Sequence, residues 1–263
     1  MALTVRSAAS SSGVRAFAHQ DLKWTDANKA GIRLQPVRAD RDNGLYLGFL
    51  AFDAMATTGI HQHTGPAFSY FLHGGLADYQ GAARAGMMGI NLDGATHDAI
   101  ALAPSLLAAR LEAPVLYPDE GATRGEAIHT GARGGEIVNR RPEVMPDLNI
   151  AVDDLAWDGT TTAGLQRRMV FDYSGTGLDR RCVQLRLLPG SSIAPFRASA
   201  LIDIYVVGGD LSASGQCARS GDFMVIDPGA ESTLETRYGC LAFFWLDGPA
   251  VCLETGVSLL APF

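Results

Sequence analysis

The chain has 263 residues, a formal charge of −7 and a pI near 5.3, so it lacks the basic face that neutralising nucleic-acid phosphates requires. Hydrophobic residues make up 47% and charged residues 19%, a globular rather than a disordered mixture. No apolar run reaches the roughly 18 residues of a membrane-crossing helix, which argues against a membrane partner.

Thirty scattered glycines and 12 prolines favour short strands joined by turns over long helices. The opening stretch, Met1 to Phe17, has no unbroken apolar core of the kind a signal peptide carries, and reads as a frayed terminus of a cytoplasmic chain. Ala67-Phe-Ser-Tyr-Phe-Leu72 is a short aromatic run that closes on Gly74-Gly75, as a strand does before a turn. Ala99–Glu112 has a rival helical reading, but its counterpart later in the chain, Leu241–Leu246, is strand-like, so both are predicted as strands. Residues 121–149, rich in Gly, Arg and Pro, read as a connector. Ala200–Val207 is again a β-branched and aromatic strand. The arginine pairs at 140–141, 167–168 and 180–181 read as solvated loop charges. Cys182, Cys217, Cys240 and Cys252 form no CxxC pair and read as free thiols.

Sliding the chain against itself reveals a duplication. Asp21-Leu-Lys-Trp24 recurs as Asp154-Leu-Ala-Trp157. At a constant shift of 135, Gly86 and Gly94 recur as Gly221 and Gly229, and Leu111-Glu-Ala-Pro114 recurs as Leu246-Asp-Gly-Pro249. The shared order and near-constant offset predict two copies of one all-β domain, at 15–120 and 150–257. Each must close its sheet edges as a sandwich or small barrel.

Three of the six histidines form a candidate constellation: His61, His63 and His97. Side chains alternate along a strand, so an H-x-H pair there aims both imidazoles at one face, whereas on a helix they would diverge. At the shift of 135 these positions are Phe196, Ala198 and Ser232, and the second copy contains no histidine. The fold therefore does not require the histidines, which points to a chemical role for them in the first copy. His73 is a further candidate ligand beside the turn glycines, whereas His19 and His129 lie outside the predicted strands.

These residues resemble the cupin superfamily, whose first motif is G-x5-H-x-H-x3-4-E-x6-G and whose second is G-x5-P-x-G-x2-H-x3-N. His61-Gln-His63 matches the first motif, and Gly86, Gly94 and His97 match the second. Leu92 stands in place of the proline, Ala101 in place of the asparagine, and neither Ala67 nor Phe68 supplies the glutamate. The resemblance implies two tandem cupin barrels (double-stranded β-helix, jelly-roll), an RmlC-like bicupin. Its first barrel would hold one divalent metal ion on His61, His63 and His97, and its second would lack ligands. Fe(II) is favoured for three imidazoles; Zn, Ni, Cu or Mn also suit them.

The all-histidine set resembles that of acetylacetone and gentisate dioxygenases. The stretch His61–Pro66 resembles single cupins of the dihydroxyacetophenone dioxygenase type. That likeness implies a dioxygenase cleaving a diketone or phenolic ketone, with Phe68 and Tyr70 as candidate residues of the substrate pocket. The paired units also resemble the cupin domain of zinc-binding anti-sigma factors, which implies a non-enzymatic metal- and ligand-binding module with a sensor or regulatory role. Only about 20 residues, none of them Cys, precede the first copy, which argues against a complete anti-sigma factor. A binding protein or isomerase without metal chemistry is the third alternative. The expected partner is a small-molecule ligand, and a homodimer formed by exchange of edge strands is compatible with the fold.

Overall fold

The computed structural model describes residues 12–40, 42–117, 133–134, 147–173 and 180–258. Among them the chain forms strands and two three-residue 3-10 turns, His19–Asp21 and Val152–Asp154. It divides into two units, Leu22–Asp154 and Arg6–Asp21 with Leu155–Phe263.

Unit one carries a seven-stranded sheet. Its strand order is Asp147–Ala151, Met87–Asn91, Ala67–His73, Ser105–Glu112, Leu45–Phe52, Ile32–Asp40 and Thr25–Asp26. A smaller sheet sets Thr96–His97 beside His61–His63, then Val115–Tyr117 and Arg133–Gly134. A hairpin, Gly75–Asp78 with Gly81–Arg84, completes the unit. Ser105–Glu112 is a strand paired along its length with Leu45–Phe52, so packing on both sides overrides its helical composition. The core of this unit is built from Ile32, Leu50, Phe52, Phe71, Leu107 and Leu111 among others.

Unit two repeats these pairings residue for residue. His97 opposite His61 becomes Ser232 opposite Phe196, and Val115 opposite His63 becomes Ala250 opposite Ala198. Even an irregularity is copied. Leu106 pairs with His73 and Leu107 with Phe71, while Leu241 pairs with Gly208 and Ala242 with Val206. Gly94 and Gly229 both adopt the left-handed region, at φ +92° and +81°, which explains why this turn kept glycine in each copy.

The first strands of the two copies are exchanged. Val14–Phe17 precedes the first copy in the chain but pairs with Phe223–Ile226 of unit two. Its counterpart Asp147–Ala151 precedes the second copy but pairs with Met87–Asn91 of unit one. Residues 15–21 therefore stand in unit two and 150–154 in unit one, the reverse of the boundaries drawn from the repeat. A short strand can add to any open sheet edge, and its own sequence does not say which. Most of the predicted connector, 121–149, lies outside the described residues; residues 147–149 begin a strand of unit one.

Candidate metal centre

His61 and His63 stand two apart on one short buried strand, and antiparallel pairing brings His97 opposite His61. The Nε2 atoms converge: His61 and His63 are 3.2 Å apart, His63 and His97 3.1 Å. One ligand atom from each residue lies within 4.8 Å of the others. Among the described residues this is the only such group of metal-binding side chains.

The opposite ring nitrogens are held. Nδ1 of His61 lies 2.8 Å from the Gly59 carbonyl oxygen, which can only accept, so that nitrogen carries the proton. Nδ1 of His97 lies 3.0 Å from Oδ2 of Asp78. This hydrogen bond, ahead of all other causes, holds the Asp78 carboxyl below its usual range, so an anion is available to accept from His97. Both rings therefore turn a lone pair inward. Converging buried lone pairs repel one another unless a cation lies between them, so the donor set fits a divalent ion. Tyr117 backs the site, its ring centroid 5.6 Å from that of His61 and its hydroxyl donating to the Thr58 carbonyl at 3.2 Å.

The histidines line a cavity of about 80 Å³ inside unit one. The rest of its lining is mostly apolar, including Leu50, Phe52, Phe71 and Leu107, with Thr58, Ser69, Asp78, Asn91 and Asn149 as polar members. Of strand Ala67–His73, the residues facing the cavity are Ala67, Ser69 and Phe71. Phe68 and Tyr70, expected in the pocket, do not line it. They occupy the alternate positions and project from the other face of the sheet, where Phe68 is fully buried. His73 is exposed at the end of the same strand and does not join the cluster. His19 sits in unit two and bonds Asp222 at 2.9 Å, and His129 lies outside the described residues. Ala67, one of the two positions expected to carry an acid, faces the cavity with a methyl group.

Residues 13–109, which include all three histidines, match the family model described as the ChrR Cupin-like domain. Solved structures align over nearly the whole chain. A "putative dioxygenase" from Nostoc punctiforme superposes with TM-score 0.69 at 11% identity, covering 96% of this chain and 88% of its own. Oxalate decarboxylase from Lactobacillus farciminis, solved as a formate complex, gives 0.61 at 14% identity, covering 91% and 88%. The oxalate decarboxylase of Bacillus subtilis, studied for its Mn(II) centres, gives 0.60 at 11% identity, covering 91% and 79%. The chain has the bicupin fold. A search of curated protein sequences finds no match.

Within this bicupin the metal-binding geometry belongs to the first barrel, and the second fills the same positions with Phe196, Ala198 and Ser232. Motif reading did not find Asp78, Ser69, Asn91 or Asn149. The signal that could have found them is the duplication itself: the second barrel carries Ala213, Ile204, Ile226 and Ala16 at the corresponding positions. Polar residues in one copy that are apolar in the other mark where the two barrels differ in chemistry rather than in fold. No helix among the described residues is long and apolar enough to cross a membrane.

Proposed function

We propose that this bicupin is a metal-dependent dioxygenase, active in its first barrel on a small diketone or phenolic ketone. The observation that carries the reading is the ligand set: three imidazoles, with Ala67 facing the cavity where the cupin motif would carry a glutamate. Three ligands leave coordination positions free toward that cavity. A redox-active ion such as Fe(II), when bound, would supply Lewis acidity toward two substrate oxygens and electrons to O2. His61 and His97 would be held as Nε2 ligands by Gly59 and Asp78, and Leu50, Phe52, Phe71 and Leu107 would exclude bulk water. For a diketone the reaction balances without an external reductant. The bond between a carbonyl carbon and the central carbon breaks, and both atoms of O2 enter the two products, a carboxylic acid and a dicarbonyl.

The test is elemental analysis of freshly purified protein, followed by oxygen uptake over diketones and hydroxylated acetophenones. Iron with uptake that His61→Ala abolishes supports the enzyme. The match of residues 13–109 to the ChrR Cupin-like domain favours a second reading, a metal-dependent ligand sensor. Tightly held zinc without turnover would decide for it. Absence of any bound metal, unchanged in His61→Ala, would sink both.

A further inference from the structure

One wall of the cavity belongs to a different sheet from the histidines, and it has two rows of side chains. Across neighbouring strands Ser69, Gly89 and Asn149 stand side by side, and so do Ala67, Asn91 and Asp147. In the second barrel the corresponding rows are Ile204, Met224 and Ala16, and Ile202, Ile226 and Val14. All six pack in or against its hydrophobic core. The same scaffold thus has a solid apolar wall in one copy and a wall of small and polar side chains in the other. Small residues open the cavity, since a Cβ on Gly89 would already meet Phe71 at 3.4 Å and Asn149 Oδ1 at 3.5 Å.

The polar groups are also oriented. Asp147 is buried, accepts from the Tyr79 hydroxyl and lies 3.3 Å from Gln80 Nε2. Asn91 Nδ2 donates to it at 2.7 Å, so the amide is fixed with Oδ1 turned away from the carboxylate. Among the described residues no protein group hydrogen-bonds Asn91 Oδ1 or the half-buried Ser69 hydroxyl. Asn149, more exposed, stands at the edge of the same cavity. No Lys or Arg is among the described residues lining it. Apart from an ion held on the histidines, nothing in that lining would neutralise an anion.

We propose that Ser69 and Asn91, backed by Asp147, are specificity-determining residues that bind an uncharged hydrogen-bond donor on the ligand, a hydroxyl or amide group, within the cavity that the histidines line. This deepens the proposed function and rests on the same cavity. It names the substrate class as a neutral chelating ketone with a further hydroxyl or amide, and it excludes a dicarboxylate.

The test uses the full-length protein loaded with zinc, which is redox-silent, and titration calorimetry with three probes that share one chelating end. These are 2′,4′-dihydroxyacetophenone, 2′-hydroxyacetophenone and 4-acetyl-3-hydroxybenzoate. The wild type is expected to bind the dihydroxy probe about tenfold more tightly than the monohydroxy one, the factor a single hydrogen bond supplies, and the carboxylate most weakly. Asn91→Leu and Ser69→Ala should each narrow the first ratio to threefold or less while zinc content stays at one per chain. Ser69→Ala removes only a hydroxyl, so it keeps the test open if Asn91→Leu fails to fold around Asp147. A wild type that shows no preference, binds none of the probes or prefers the carboxylate overturns the proposal, as does a preference that survives both substitutions. Because no turnover is read, these outcomes are separate from failure of the oxygenase reading, and zinc content is measured independently.

Discussion

Phe196 faces Ser232 across antiparallel strands in the register that sets His61 opposite His97. One scaffold therefore presents the same three positions twice, once as imidazoles and once as Phe196, Ala198 and Ser232, the first two in the hydrophobic core. The second barrel is an internal control for what the fold needs, and its answer is that the fold needs no histidine.

That control yields a stability prediction. The inward Nε2 atoms of His61 and His97, both acceptors, converge on His63, whose single Nε2 can donate to only one of them in the metal-free protein. A poorly satisfied buried polar group costs about 1–3 kcal/mol. Replacing the set by the second barrel's residues, His61→Phe, His63→Ala and His97→Ser together, should abolish metal binding. The same change should stabilise the metal-free protein by about 2 kcal/mol, a few degrees in Tm. Thermal unfolding in chelator checks this; a lower Tm than metal-free wild type would contradict it.

Asp78 positions His97 without being a ligand in the cluster. Removing such a partner typically costs 10–100-fold in metal affinity. Asp78→Ala should weaken zinc binding by about that factor, measured by competition with a chromophoric chelator, with an unchanged far-ultraviolet spectrum.

The same hydrogen bond predicts a pH dependence. The Asp78 carboxyl is held below its ordinary range in the folded protein, chiefly by His97. A depressed folded value means that the folded state favours the carboxylate, so the contribution is full above the unfolded value, about 3.9, and is lost as pH falls through the folded one. Metal-free wild type should therefore lose stability below about pH 4 more steeply than Asp78→Asn, in urea titrations across pH 2–6.

Gly89 has ordinary backbone geometry, so a side chain is admissible there, and the second barrel carries Met224 at the same position. Gly89→Met should fill the cavity, leave zinc content unchanged and abolish binding of 2′,4′-dihydroxyacetophenone. Retained binding would show that the ligand enters elsewhere.

Gly74 sits at the copied irregularity with φ +65°, and a Cβ there would lie 2.4 Å from the Pro104 carbonyl oxygen. Gly209, its counterpart, has φ +79° and a still closer backbone neighbour. A left-handed non-glycine residue costs about 1–2 kcal/mol before any clash, so Gly74→Ala should destabilise the protein by more than about 2 kcal/mol in urea unfolding.

The sequence by itself determined the duplication, the all-β class and the three histidines. These rest on local rules: glycines where φ is positive, side chains alternating with period two, and a second copy that shows which positions are free to change. It could not place the cavity face of strand Ala67–His73. Ala67, Phe68 and Phe71 are all buried, so no apolar–polar alternation marks which parity points inward, and only the pairing with Gly89 and Asn91 assigns Ser69 to the cavity instead of Phe68 and Tyr70. It could not join Asp78 to His97, 19 residues apart, because that contact is made by a hairpin returning over a different sheet. Nor could it assign Val14–Phe17 and Asp147–Ala151 to their sheets, since edge pairing satisfies backbone groups that every residue carries. The ligands were legible because their chemistry is in their side chains. Their partners and the polar wall of the cavity were not, because those depend on which strands the fold sets side by side.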